Sequence, residues 1–559
     1  MSTPKKQTFL HGAALLALAT AAVKVIGALY KLPLKHFIGD EGYSYFSAAY
    51  DIYTVLLLIS TAGLPVAMSR MISQASSLGN GSQVHRVYNT ARAMFLGLGA
   101  ASTLLMMLFC KQLAHGLGQD DAWLSILCLA PCAFLMGIIS TYRGFFQGQG
   151  NMIPTSVSQV VEAIFKMVVG LGLAALIMSV SGNVPLAAAG SILGVTVSCL
   201  VSSVYLFGVI RKSYDAQVKE GEEVTSYRET AKQLLAIAVP ITIGAAGLQL
   251  LTVIETSLYM DRLNGLLSGN LLNTPLVQIL EQEVLAANPQ GLTPDEKYSK
   301  IASNINGIYK LSGTIYNLPN SFITPITVSI IPAITSQLTL KNRDGVRETE
   351  ESAARITGLL SLPCAFGLML LSEPIMAILG GYTGEKLVLA SQLMSLLGIS
   401  VFLHAVVLLT NAIMQAHGHA NLPVVHMLSS GAVKLVLVYI LSGNPAIGIL
   451  GVPIGTALCN LAISVLNILA IRRCVEERPR LVPNLLRSLV PALIMGAAAF
   501  GSWQGLKLLG ITSRLILCGA PIALAVVVYF VSAVLLRSIT REDCLLLPKG
   551  KKIAKLLRL

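Results

Sequence analysis

Charge is what this chain has least of. Asp, Glu, Lys and Arg make up only 12% of its 559 residues, about half the roughly 25% of an ordinary soluble domain. Several soluble domains of that combined length would need polar surfaces. With 54% of its residues in the hydrophobic set, the chain has little with which to build them, and its apolar excess is left to face lipid. Alternating segments of about ten residues, the mark of a transmembrane barrel, are also missing. So is any CxxC. The nine cysteines (Cys110, Cys128, Cys132, Cys199, Cys364, Cys459, Cys474, Cys518 and Cys544) fall mostly within apolar runs. Packing is their expected role, rather than a disulfide framework or a zinc centre. Walker A, HExxH and GxSxG motifs are absent too. The chain is therefore expected to be neither an enzyme nor the holder of a cofactor or metal. Its histidines are dispersed, and His417 and His419, in a Gly-containing loop, read as solvated.

What is present is a series of long apolar runs. A spanning helix needs about 20 mostly apolar residues to cross a hydrocarbon core about 30 Å thick. The runs place about fourteen spans, at roughly 9–30, 44–69, 88–110, 122–142, 154–180, 185–210, 234–258, 304–334, 354–372, 388–414, 422–441, 446–471, 484–508 and 513–536. The fold class expected is an all-α polytopic membrane protein. The stretch Phe9 to Tyr30 follows Lys5 and Lys6, contains Lys24 and lacks a small-residue cleavage site, so it reads as a retained first span. Between spans 7 and 8 the segment 259–303 is expected to hold a short helix within Leu271 to Leu285 and a turn at Asn288-Pro289-Gln290-Gly291.

Basic residues orient these spans. With the N-terminus inside, 27 of the 40 Lys and Arg fall on inside loops, span ends and tails, and 9 on the outside. This agrees with the positive-inside rule, predicts an even span number and puts both termini in the cytoplasm. The net charge of +13 then reports orientation and contact with membrane lipids, and nucleic acid is not an expected partner.

The sequence also repeats. Gly182-Asn183, Gly190 and Gly194 recur as Gly443-Asn444, Gly451 and Gly455. Ser73-Gln74 and Arg92 recur as Ser336-Gln337 and Arg355, and Gln147, Gly150 and Lys166 as Gln415, Gly418 and Lys434. Two parallel six-helix repeats with two C-terminal helices are therefore expected. The boundaries are 1–212 for the N-terminal lobe, 213–233 for a cytoplasmic linker, 234–473 for the C-terminal lobe, 474–537 for the last pair and 538–559 for a basic tail. Such halves commonly enclose a site near the midplane and move against each other, which favours a transporter.

Ionisable groups inside a bilayer are costly and tend to face a cavity or a partner. Lys24, Asp51, Glu162, Lys166, Glu255, Lys310 and Lys434 are the candidates. Lys24, Lys310 and Lys434 are read as binding an anionic substrate, and Asp51, Glu255, Glu162 and Lys166 as gating or ion-pair residues. Asp51 and Glu255 would also suit coupling to a cation. Glu162 and Lys166, spaced i, i+4 with the acid first, are expected to pair with each other. Lys31, Arg70, Arg143 and Asp261 lie nearer the interfaces, where snorkelling explains them.

Several stretches together resemble the SpoVB/YtgP-type lipid flippases. They are Leu29-Tyr30-Lys31-Leu32-Pro33, Ile38-Gly39-Asp40-Glu41-Gly42, Ala49-Tyr50-Asp51-Ile52-Tyr53 and Gly63-Leu64-Pro65-Val66-Ala67-Met68-Ser69. Gln147-Gly148-Gln149-Gly150 with Pro154, Leu318-Pro319-Asn320 and Ile331-Pro332-Ala333-Ile334 complete the set. The resemblance runs over the whole chain. It implies the MATE-like fold of the multidrug/oligosaccharidyl-lipid/polysaccharide exporter superfamily, in a bacterial cytoplasmic membrane. The implied substrate is an undecaprenyl-pyrophosphate-linked sugar, lipid II foremost, flipped outward for peptidoglycan synthesis, with the cell-wall machinery as a candidate partner. In the related MurJ branch, arginines of spans 1, 2 and 8 line the cavity. Here Lys24 matches one such position, Lys310 lies one turn from another that Thr314 occupies, and span 2 offers Asp51. Two other readings stay open: a polysaccharide repeat-unit or cation-coupled multidrug exporter of the same fold, and a non-transporting scaffold in wall or spore formation.

Overall fold

The computed structural model describes residues 9–59, 63–213, 224–419 and 421–538. Among them are seventeen α-helices and no strand. In order they are α1 (Phe9–Leu58), α2 (Leu64–Ser77), α3 (Gly81–Gly116), α4 (Trp123–Gly148), α5 (Ile153–Ser181), α6 (Val184–Ser213), α7 (Tyr227–Ser268), α8 (Pro275–Ala287) and α9 (Pro294–Thr339). Then follow α10 (Arg343–Leu370), α11 (Ser372–Leu379), α12 (Gly384–Ala416), α13 (Asn421–Ser442), α14 (Gly451–Cys474), α15 (Leu481–Leu485), α16 (Leu489–Leu508) and α17 (Arg514–Leu535). The short helix expected after span 7 is α8, and the turn behind it places Gly291 at φ 87°.

Ten helical segments among the described residues are long and apolar enough to cross a membrane. The other expected spans, 9–30, 44–69, 234–258 and 304–334, correspond to α1, the junction of α1 with α2, α7 and α9. Residues 60–62 of the second span lie outside the described residues, as do most of the expected linker and nearly all of the basic tail. Within α1 helical geometry breaks at Gly39, with φ 70° and ψ −175°. A residue without Cβ enters that region at no steric cost.

By contact the chain divides into two compact units, Met1–Ser268 with Leu280–Gly307, and Gly269–Ile279 with Ile308–Leu559. In the first unit α5 and α6 pack on each other, α4 and α1 pack on α6, and α7 packs on α1, α2 and α3. The repeat assigns α7 to the second lobe, yet its contacts group it with the first unit. In the second unit α12 packs on α10 and α14, α13 on α14, and α16 on α10 and α17.

The sequence repeat has a local structural meaning in each unit. Asn80 caps α3 by accepting the Gln83 N–H at 2.7 Å, and Asn342 caps α10 by accepting the Gly345 N–H at 3.1 Å. Each cap satisfies a backbone donor that the first helical turn leaves unpaired. Gly150 and Gly418 both turn left-handed, at φ 74° and 80°. They close α4 and α12 with one bonding pattern: Asn151 donates to the Phe146 carbonyl and His419 to the Met414 carbonyl, each at 2.9 Å.

The repeated glycines of α6 and α14 are helix-packing positions. A Cβ on Gly194 would collide with the Gly170 backbone of α5, one on Gly451 would lie 2.8 Å from the Leu441 Cβ, and one on Gly455 2.6 Å from a Val438 methyl. Small residues let backbones approach where packing, rather than water, drives association. Gly194→Leu is therefore expected to lower stability by about 1–3 kcal/mol through overpacking. Gly208→Leu, on the same helix with open space around its Cβ, should leave the thermal midpoint in detergent unchanged.

Candidate functional site

The buried charge of the first unit gathers around the aromatic face of α1. Tyr43, Phe46, Tyr50 and Tyr53 recur every three or four residues, so they share one helix face. Their rings touch in sequence, with centroids 6.0, 5.4 and 5.2 Å apart. Two lysines meet on the middle tyrosine. Lys166 of α5 donates to the Tyr50 hydroxyl at 3.3 Å, and the Lys31 ammonium lies 4.4 Å from the Tyr50 ring centroid. A desolvated ammonium over an aromatic face gains about 2 kcal/mol from the ring quadrupole.

The expected pairing of Glu162 with Lys166 is replaced. Arg143 of α4 donates through Nη2 to Glu162 at 2.9 Å and through Nε to Ser158 at 2.9 Å, while the Tyr53 hydroxyl donates to the other Glu162 oxygen at 3.1 Å. Ser202 of α6 donates to the Ser158 carbonyl at 2.8 Å. The physical reason is geometry. A guanidinium offers several donors in a rigid fork, so one side chain satisfies both carboxylate and hydroxyl. Arg143 is thus no snorkelling interfacial residue: only 7% of it is exposed. With Glu162 held by Arg143, Lys166 donates to Tyr50 and stays within electrostatic reach of Glu162. Among the described residues the cluster brings Lys31, Arg143 and Lys166 together with Glu162 around Tyr50 and Tyr53.

A second network in the same unit ties the start of α9 to α1. Lys300 bridges Glu41 at 2.9 Å and Asp121 at 3.0 Å, and the Tyr45 hydroxyl donates to both acids. Below it runs a relay: Tyr259 donates to Asn306 at 2.7 Å, Asn306 to Ser44 at 2.8 Å, and Ser44 to Gln119 at 2.7 Å. Asp51 of α1 and the buried Glu255 of α7 both lie within electrostatic reach of Tyr259, so two expected gating residues share one neighbour. Burial alone would lower the Lys300 ammonium, but Glu41 and Asp121 beside it raise it overall.

Of the expected substrate residues, Lys24 lies on α1 with its side chain outside the described residues. Lys310 and Lys434 lie in the second unit, both half-buried: Lys310 on α9, where Thr314 donates back to its carbonyl, and Lys434 on α13 with its stem beside Gly455. The polar core of this unit includes a neutral group. Asn467 donates to Thr410 at 3.0 Å and Asn411 at 2.8 Å, and its oxygen meets His426 at 2.8 Å.

His417 is not solvated as expected. Its Nε2 lies 2.7 Å from a Glu350 oxygen, and 8% of its side chain is exposed against 0% for Glu350. A carboxylate out of water needs a cation or a proton, and the imidazole supplies either. Glu350 stands at the start of α10, ahead of the expected span. Burial raises its carboxyl and His417 offsets that only in part; burial would lower His417, but Glu350 raises it overall. Glu477 acts on both, and Glu351 on Glu350. Among the described residues no group of three or more His, Cys, Asp or Glu could hold a metal ion.

Two outcomes follow. Arg143→Met, which strands a buried carboxylate, is expected to cost about 3–5 kcal/mol of stability. Arg143→Met with Glu162→Gln should recover most of it in thermal unfolding. For His417 and Glu350, both folded values lie above the ordinary 6.5 and 4.5. The folded pair keeps a proton that the unfolded chain has released, so its stabilisation is complete at low pH. It is lost as pH rises, from about 4.5 for Glu350 and from about 6.5 for His417, through their raised folded values. Thermal midpoints measured across that range should fall more steeply in the parent than in His417→Gln.

With this geometry in place, the likenesses to known proteins take on meaning. The family model for polysaccharide biosynthesis protein matches residues 9–338, and that for lipid II flippase MurJ matches residues 299–517. The chain is 24% identical to the uncharacterized membrane protein YabM of Bacillus subtilis (strain 168), over 99% of this chain and 97% of that one. To stage V sporulation protein B of the same strain it is 22% identical over 80% of each chain, and to lipid II flippase MurJ 24% identical over 88% and 87%. A structure of lipid II flippase MurJ in an inward closed conformation matches with TM-score 0.66 and 14% identity, covering 94% of this chain and 99% of that one. An inward-facing MATE family multidrug resistance transporter matches with TM-score 0.59 and 17% identity, covering 82% and 93%. The fold is thus the MATE-like one expected, and the chain is a multi-pass membrane transporter belonging to the polysaccharide biosynthesis protein family, of the lipid II flippase and polysaccharide exporter type.

Proposed function

We propose that this transporter flips an undecaprenyl-pyrophosphate-linked sugar, lipid II foremost, from the cytoplasmic to the outer leaflet by alternating access. The observation that carries the reading is the cluster on α1, with Lys31 and Lys166 meeting on Tyr50 while Arg143 forms the ion pair with Glu162. Two ammonium groups beside one tyrosine, Lys166 buried and Lys31 half-buried, form a receptor for a dense anion such as a pyrophosphate. In a membrane such charges are costly unless an anion or carboxylate answers them. Lys24, Lys310 and Lys434 are the further basic residues assigned to the anionic substrate. Their shared positive charge also supplies a reset, since one charge moved across the field is worth about 2.3 kcal/mol per 100 mV. Likeness to the protein named lipid II flippase MurJ supports this cargo over other lipid-linked sugars. The bacterial cytoplasmic membrane, with both termini inside, is the location that fits.

A second reading has its own support. Asp51 and Glu255 around Tyr259 would serve a cation-coupled exporter. The two are separated by complementation of a bacterium depleted of its lipid II flippase, with lipid II exposed at the outer face as the readout. The parent chain is expected to restore exposure, and Lys166→Met or Lys24→Ala to lower it about tenfold or more, as loss of a charge-assisted hydrogen bond does. If both variants restore lipid II exposure fully while Asp51→Asn abolishes efflux of a cationic drug, the exporter reading replaces the flippase.

A further inference from the structure

The segment between α14 and α15 sorts its charges onto two sides. Its acids, Glu476 and Glu477, line a cavity of about 530 Å³ with Arg343 and His417, and Glu476 pairs with Arg343 at 2.6 Å. Its arginines, with Arg472 from the last turn of α14, line another. Arg472, Arg478 and Arg480 surround a cavity of about 600 Å³ whose floor includes Ile468, Leu481 and Val482. The chain crosses from one side to the other at Arg478, which adopts φ 46°, a left-handed conformation rare for a residue with a side chain. Among the described residues, none of the three guanidinium groups meets a carboxylate, although two acids stand in the same short segment.

The cavity also has an apolar approach. Leu461, Val465 and Leu469 are 45%, 47% and 46% exposed. Spaced four apart, they form one stripe along α14, and it ends less than a turn from Arg472. The cavity thus sits where an expected span ends, on the side that the Lys and Arg distribution assigns to the cytoplasm. It combines three arginines with an apolar track of about 12 Å, the rise of eight helical residues.

We propose that this cavity binds an anionic phospholipid of the cytoplasmic leaflet. The phosphate sits among Arg472, Arg478 and Arg480, and one acyl chain lies along the α14 stripe. Guanidinium groups match phosphate oxygens two at a time, and basic pockets at cytoplasmic helix ends recognise anionic headgroups. A soluble phosphate would use the same arginines but would have no use for the stripe. That difference separates the two sources. The site is independent of the basic cluster on α1, so it stands or falls without the flippase reading.

The test is native mass spectrometry of the full chain in detergent, titrated with phosphatidylglycerol, with phosphatidylcholine, and with excess inorganic phosphate as competitor. Phosphatidylglycerol adducts should survive collision energies that strip phosphatidylcholine, and excess phosphate should leave them in place. Combined Arg472→Gln, Arg478→Gln and Arg480→Gln should lower phosphatidylglycerol occupancy about tenfold or more. Combined Arg211→Gln, Arg473→Gln and Arg514→Gln, the same charge change outside the cavity, should not. If the cavity variant does not elute as one folded species, each single variant carries the test, with a loss of severalfold expected. Equal occupancy in the cavity variants and the parent, equal retention of phosphatidylcholine, or displacement by inorganic phosphate would each overturn the proposal.

Discussion

A carboxylate packed among apolar helices has lost the water that would stabilise it, and Glu162 shows how the first unit answers that loss. Its two oxygens are taken by Arg143 and Tyr53, from α4 and α1, while Arg143 also donates to Ser158 of α5. One ion pair therefore ties α1, α4 and α5 together, and Ser202 carries the link into α6. Because Arg143 satisfies Glu162, Lys166 is left to Tyr50 and shares that ring with Lys31. The meeting of two lysines on one tyrosine, on which the functional reading rests, thus depends on this pair.

The two units spend polarity differently. The first concentrates charge, on the α1 cluster and on the Lys300 bridge to Glu41 and Asp121. In the second, a network of amide, hydroxyl and imidazole groups around Asn467 joins α12, α13 and α14, and the buried pair of Glu350 with His417 stands outside the expected spans. Sequence duplication preserved caps, left-handed turns and close-packed glycines, which are backbone properties, while the side-chain chemistry diverged. That is the pattern of a shared scaffold carrying one specialised face.

Much of this was legible in the sequence for physical reasons. Apolar runs of fixed length announce spanning helices, and repeated glycines announce close helix contacts. The repeat of Gly150 as Gly418 turned out to be a repeat of backbone conformation. Partner choice was less legible. An i, i+4 rule proposes Lys166 for Glu162, but it sees only one helix. The partner that prevails comes from α4, brought close by the turn at Gly150. Glu41 and Lys300 are separated by 259 positions, and no local pattern joins them. His417 read as a loop histidine because its carboxylate lies on another helix. The resemblance of the Tyr50-Asp51 and Gly39-Asp40-Glu41 stretches to a flippase family pointed at these regions, although not at their contacts.

The central claim is that the buried basic cluster serves a lipid-linked pyrophosphate. The most direct measurement reconstitutes the purified chain into vesicles carrying an undecaprenyl-pyrophosphate-linked sugar and follows its passage between leaflets, with an undecaprenyl-linked neutral sugar as the comparison. On this account the pyrophosphate-linked substrate crosses and the neutral one does not, and imposing a membrane potential changes the rate. Equal passage of both substrates, or passage of neither while a cationic drug is transported, would contradict it.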